Sequence, residues 1–192
     1  YRMALQTREQ HIKRDRATSN ICTAQALLGI MASMYAVYHG PKGLLNIAET
    51  IHRKTVLLAS KLKGIGQDVL EDHPFFDTIQ VMPVGVTITE IRDLAEQNGI
   101  NFNYANGNTV GISLDETTTL GDVHNILEIF TQLTDQEPSF VKSSDLEAHA
   151  SSIPSNISRE IDYLQHPVFN SYHSETEMMR YIKSLENKDI SL

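Results

Sequence analysis

The chain has 192 residues, 41% hydrophobic and 21% charged, with a formal net charge of −8. That composition suits one folded domain with an appendage and excludes a disordered chain. The acidic balance argues against nucleic-acid binding, which needs a basic footprint on the phosphates, and the single cysteine, Cys22, excludes an internal disulfide framework and fits a reducing compartment.

The charge is uneven along the chain. Residues 1–16 carry Arg2, Arg8, Lys13, Arg14 and Arg16 against Glu9 and Asp15, a balance of +3, which leaves −11 on the remainder. Thr7 and Gln10 have capping-box spacing, so a short helix can start at Arg8. No signal-peptide pattern follows, and the chain does not begin with Met. From Ala17 to Tyr38 there is no formal charge. Polar interruptions at Thr18, Ser19, Asn20, Thr23, Gln25 and Ser33 favour a buried helix over a membrane span.

Ser19 or Asn20 can cap a helix over Ile21 to Tyr38 that is apolar nearly all round, the pattern of full burial. His39-Gly40-Pro41 should stop it. A second long helix follows, Gly43 to Lys63, with Leu44, Ile47, Ala48, Ile51, Leu58 and Leu62 at helical spacing and Arg53, Lys54 and Lys61 on other faces. Phe75 to Val81 reads as a strand. Thr87 and Glu90 form a capping box that opens a helix to Gln97, ended by Gly99. Ile100, Phe102 and Tyr104 alternate, Asn106-Gly107 intervenes, and Val110, Ile112 and Leu114 alternate, which predicts a hairpin. Thr118 or Thr119 caps a helix to Leu133. Residues 135–173 have no sustained period and read as an arm, and Ser174 with Glu177 caps a last helix over Glu175 to Glu186. The order predicts an α+β fold with helices on one face of a small antiparallel sheet. The predicted organisation is a basic lead-in over 1–18, a small α+β domain over 19–134 with two long helices, and an irregular arm over 135–192 ending in a helix.

Chemistry-bearing patterns are sparse. The eight His residues show no metal-ligand spacing and there is no second Cys. No glycine-rich phosphate loop occurs. Cys22 lies in the all-apolar stretch and reads as a core residue. Glu9 with His11 could be an acid/base pair, but capping and solvated surface charge explain both. Asn156-Ile157-Ser158 matches a glycosylation triplet without any other sign of secretion. The residues alone assign no catalytic, cofactor-binding or metal-binding position.

One long stretch carries a resemblance. MALQTREQHIKRDRATSNICTAQALLGIMASMYAVYHGPKGL resembles the P-protein family of the glycine cleavage system, pyridoxal-phosphate enzymes acting as glycine dehydrogenase (decarboxylating), and so do FFDTI from Phe75, NFNYANGNTVGISLDET from Asn101 and HPVFNSYHSETEMMRYIKSLENKDISL from His166. The likeness covers nearly the whole chain and is to the C-terminal part of the family's N-terminal half. It implies a piece cut from a longer chain, with the small C-terminal domain of a fold-type I pyridoxal-phosphate enzyme: long helices plus a small antiparallel sheet. The alternative source is a two-chain form of the enzyme. The parent would be an oxidoreductase of glycine catabolism. It would use pyridoxal 5'-phosphate as electron sink and pass the aminomethyl group to the lipoyl carrier H-protein.

The family's active-site lysine lies in its C-terminal half. None of Lys13, Lys42, Lys54, Lys61, Lys63, Lys142, Lys183 and Lys188 stands in that lysine's motif, and all read as charged or exposed positions. No cofactor is therefore expected in this piece, which reads as a scaffold and interface part without activity. By likeness, Arg8, Glu9, His11, Thr18, Ser19 and Asn20 would face the active site or a partner half. Expected partners are the second half of the chain or its partner subunit, the H-protein, and a second copy through the two long helices; no nucleic acid or membrane is expected. The compartment would be the bacterial cytoplasm or the mitochondrial matrix. The runner-up reading is a stand-alone α+β module that binds an amino acid or regulates.

Overall fold

The structure is a computed structural model. It describes residues 26–104, 107–134, 136, 140–148, 153 and 158–188. The chain divides into two compact units, residues 41–164 and residues 1–40 with 165–192. The candidate positions Arg8, Glu9, His11, Thr18, Ser19, Asn20 and Cys22 lie outside the described residues, as does the start of the first predicted helix.

The two predicted long helices follow each other directly within α1 (Ala26–Gly64) and are divided where the Gly-Pro stop is predicted, at Gly40, which is non-helical with φ 62 and ψ −179. No loop separates the halves. Pro41 restarts the helix directly, because its fixed φ suits a first helical position and it has no N–H to leave unpaired there. The second half of α1 is the spine of the 41–164 unit. Leu57, Leu58 and Leu62 are fully buried, and each such burial contributes about 1.5–3 kcal/mol. Gly66, with φ 77, lets the chain turn after α1, and Gln67 N–H closes the turn on the Leu62 carbonyl at 3.0 Å.

Three strands follow: β1 (Asp68–Leu70), β2 (Thr78–Met82) and β3 (Val110–Ser113), antiparallel in the order β1-β2-β3. Val69 pairs with Val81, and Ile79 pairs with Ile112. These side chains are buried on one face, whereas Thr78 and Met82 on the other are exposed. The strong alternation of β2 is therefore that of a sheet covered on one side. β1 was not expected, since three residues are too few to show a period. Between β2 and β3 lies α2 (Ile88–Gln97), opened by the predicted Thr87–Glu90 capping box, with both reciprocal bonds formed.

The predicted hairpin is corrected. Ile100 to Tyr104 is not a strand; it makes one isolated bridge, Asn103 to Gly111. A two-residue turn at Asn106-Gly107 would set Asn103 opposite Val110. The bridge falls one residue later, where glycine is needed. A Cβ at Gly111 would meet the Gln80 amide at 2.9 Å and Asn103 Cβ at 3.2 Å. The alternation of Ile100, Phe102 and Tyr104 is satisfied instead by packing against the core, with Phe102 and Phe130 ring centroids 6.4 Å apart.

α3 (Leu120–Thr134) presents Val123, Ile126, Leu127 and Phe130 inward as its period predicts. Thr119 caps it reciprocally with Asp122: the Asp122 N–H donates to Thr119 Oγ1 at 3.2 Å, and Thr119 N–H donates to the Asp122 carboxylate at 2.7 Å. The arm is less irregular than its composition suggests. It holds a short helix, α4 (Ser143–Ala148), whose Asp145 pairs with Lys61 of α1 at 3.0 Å, and Val141 joins the core. In the other unit, α5 (Glu175–Glu186) has the capping box of Ser174 and Glu177 as predicted.

Lys54 departs from expectation. It is only 8% exposed, and its ammonium donates to the Thr118 carbonyl, across from Asp122 at the start of α3. The helical period hides this, because a long side chain can bury its stem and still bring its charge to a carbonyl.

Two outcomes are expected in urea titrations. Lys54→Ala should lower stability by about 2–3 kcal/mol, since a part-buried carbonyl loses a charged donor, whereas Lys61→Ala, which breaks a more exposed pair, should cost under about 1 kcal/mol. Equal costs would show that Lys54 is not the tie. The second outcome follows from the caps. Hydrogen bonds from Thr119 hold the Asp122 carboxyl below its ordinary value of 3.8, aided by the Lys54 charge, and those from Thr117 and Thr118 do the same for Asp115. A depressed carboxyl contributes stability that is present above the ordinary value and lost as pH falls through the folded one. The urea midpoint should therefore drop below about pH 4, and Asp122→Asn should flatten that drop.

Candidate functional site

Among the described residues of the 41–164 unit, two cavities can be placed. One, of about 180 Å³, is lined by Asn46, Ile47 and Thr50 of α1 and by Glu116. The other, of about 140 Å³, lies between the end of α2 and the middle of α3 and is lined by Asn98, Asn125, Glu128, Ile129 and Gln132. Beside Ile47 and Ile129, the side chains of the two linings are amides, a hydroxyl and carboxylates. Neither contains a cation, so neither suits a phosphate group.

Several buried polar groups of this unit are engaged with the fold itself. His52 is fully buried, stacked on Phe76 at an interplanar angle of 7°, and its Nδ1 lies 2.9 Å from the Phe76 carbonyl. A carbonyl only accepts, so Nδ1 carries the proton. Gln67 pairs its amide with the main chain of Val84, accepting from its N–H at 3.0 Å. Tyr104 stands beneath the Arg92 guanidinium, 4.6 Å from the ring centroid, and burial pushes its phenol up. These contacts hold loops to the core.

Pyridoxal phosphate requires a lysine held at a cavity and a cradle of donors for the phosphate. Lys54 is the one buried lysine among the described residues, and its ammonium is spent on the Thr118 carbonyl at the α3 cap. The described residues therefore offer no unengaged buried lysine for the cofactor. Nor do they gather three or more His, Cys, Asp or Glu side chains as a metal site. Among them no helix is long and apolar enough to cross a membrane.

In the other unit, a second constellation surrounds the helix break. Tyr35 and His39 lie with ring centroids 4.3 Å apart, and Tyr38 and His39 with centroids 5.1 Å apart. The His173 imidazole reaches back across 135 residues to the Tyr38 carbonyl at 2.7 Å. No sequence motif assigns His173 a role, and Gly40 reads only as part of a helix stop. What could have pointed to them is the Gly-Pro break itself, which leaves helical carbonyls without their usual donors.

Ala26 to Ser33 are exposed on every face, and burial begins only at Met34 and deepens at Val37 and Gly40. The expectation of a helix buried all round is thus not met within the described residues, where no element packs against those turns.

The comparisons with known proteins converge. The profile of the glycine cleavage system P-protein matches residues 1–130. The whole chain aligns with glycine dehydrogenase (decarboxylating) of a Nostoc species at 53% identity, covering 20% of that protein, and with that of Christiangramia forsetii at 49%, covering 19%. The mitochondrial glycine dehydrogenase (decarboxylating) of Mus musculus is 49% identical, with 18% of its length covered. A crystal structure of glycine decarboxylase (P-protein) of the glycine cleavage system, in inhibitor-bound form, is 27% identical over 68% of this chain and 31% of that one, with a TM-score of 0.47. The chain spans about a fifth of the length of the relatives it matches. With a family profile covering two thirds of its residues and full-length alignment to these proteins, the chain belongs to the glycine cleavage system P-protein family.

Proposed function

We propose that residues 1–192 are a scaffold and interface part of a pyridoxal-phosphate-dependent glycine decarboxylase. The parent enzyme decarboxylates glycine and hands the aminomethyl group to the lipoyl arm of the H-protein. The observation that carries this reading is the pairing of an alignment over the whole chain to a fifth of each relative with the engagement, at the α3 cap, of the one buried lysine among the described residues. The chemistry belongs to the other four fifths, in which the second half of the chain, or its partner subunit, holds the lysine. The parent works in the cytoplasm of a bacterium or in the mitochondrial matrix, a reading supported by relatives that are named mitochondrial.

Within this piece, Arg8, Glu9, His11, Thr18, Ser19 and Asn20 face the active site or the partner half. An arginine and a group of hydroxyls ahead of a helix suit an anionic group of cofactor or substrate. The exposed turns from Ala26 to Ser33 support an interface role, since soluble proteins seldom leave apolar helices uncovered.

Two measurements test the reading. Dialysis after addition of pyridoxal phosphate should leave the 192-residue chain without a visible absorbance band. A retained band that shifts when glycine is added would place an active site here and overturn the proposal. In the intact enzyme, Arg8→Ala should lower the rate of glycine decarboxylation by tenfold or more, about 1.4 kcal/mol in barrier. Unchanged kinetics would remove Arg8 from the active-site face.

A further inference from the structure

Gly40 occupies a backbone region, φ 62 and ψ −179, that is essentially closed to residues with a side chain. Space closes it as well. A Cβ there would lie 2.7 Å from the Phe169 carbonyl oxygen and 2.8 Å from His173 Cε1. The segment that presses on Gly40 is rigid in itself. His166 Nδ1 accepts from Val168 N–H at 3.2 Å and opens a 3-10 turn over Pro167–Asn170. The Ser171 hydroxyl donates to the Pro167 carbonyl at 2.6 Å, and the Asn170 amide to the His166 carbonyl at 3.3 Å. The result is a self-bonded knuckle whose last residue, His173, donates through Nδ1 to the Tyr38 carbonyl.

α5 starts immediately after it, with Ser174 as its cap. α5 buries no residue fully, and Met179 and Ile182 are 61% and 43% exposed. The Tyr172 and Tyr181 rings stack at 4.3 Å and tie α5 back to the knuckle. We propose that the His166–His173 knuckle is a strap that transmits the position of α5 to the last turn of the helix ahead of Gly40, with His173 as its latch. The carbonyl of Tyr38 loses its usual i+4 donor at the break, so the latch supplies the bond that keeps this turn wound. A displacement of α5 moves the strap, and the turn from Met34 to His39 tightens or frays with it. Gly40 is glycine because the strap needs the room as well as because the backbone needs the angle.

Hydrogen exchange by mass spectrometry on the 192-residue chain tests this directly. His173→Ala should raise exchange at least tenfold in peptides covering 34–39 and 166–172, with the α3 peptides unchanged as the control for global stability. His173→Asn, whose side-chain amide can replace Nδ1–H, should restore most of the protection. Tyr181→Ala should also raise exchange at 34–39, because it frees α5 from the knuckle. The proposal is overturned if His173→Ala leaves 34–39 unchanged, if Asn protects no better than Ala, or if Tyr181→Ala affects α5 alone. Gly40→Ala provides a second route: expelling the strap should raise exchange at 166–172, and retained protection there would equally sink the idea.

Discussion

A sheet of three strands, none longer than five residues, cannot stand in water alone, and this one has a single apolar face to bury. Most of the 41–164 unit follows from covering that face. Ile79 and Val81 of β2 and Val110 and Ile112 of β3 point the same way and are buried. The end of α1 supplies Leu57, Leu58 and Leu62, α3 supplies Leu127 and Phe130, and α2 supplies Ile91 and Ala95. The strands are short because the cover is short. The outer face is left to Thr78, Met82 and Ser113, and the Thr78 and Ser113 hydroxyls, 2.8 Å apart, bond across the ladder.

Apolar burial brings the layers together without fixing their registry, and the polar ties do that. Lys54 binds the end of the β3–α3 loop, Gln67 binds Val84, and His52 binds Phe76. Each runs from α1 or the turn after it to a loop. Three cap motifs of one chemistry, at Thr87, Thr119 and Ser174, set where helices begin. Their carboxylates sit below their ordinary values because the cap hydrogen bonds favour the charged form. The fold thus uses its acidic residues as structure, which explains why a chain with so many carboxylates shows no acid/base pair in a cleft among its described residues.

The unit of residues 1–40 and 165–192 works on a different principle. Its described contacts are few, aromatic and centred on one irregular residue. Around Gly40, backbone strain, a missing helical donor and a pre-bonded knuckle coincide, and strain of this kind persists only where the surroundings enforce it. In a protein family whose members are about five times longer, this unit has a weakly covered helix and a helix with Met179 and Ile182 exposed.

The residues by themselves determined the local signals. Capping boxes, the 3.6-residue period of α2, α3 and α5, and the Gly-Pro break depend on neighbours within one or two turns, and those elements stand where the pattern places them. The family was legible too, through long motifs rather than through any reactive side chain. Tertiary structure decided what depends on partners far along the chain. It decided that Ile100 to Tyr104 packs on Phe130 instead of pairing as a strand, because core contact outweighs one more ladder. It decided that β1 forms at all, since three residues become a strand only when β2 offers a ladder. It buried Lys54 by placing the Thr118 carbonyl, 64 residues away, over its ammonium. It seated His173 on Tyr38 across 135 residues. A sequence pattern records which face a residue prefers, while a hydrogen bond to a distant carbonyl is recorded nowhere until the chain has folded to bring that carbonyl near.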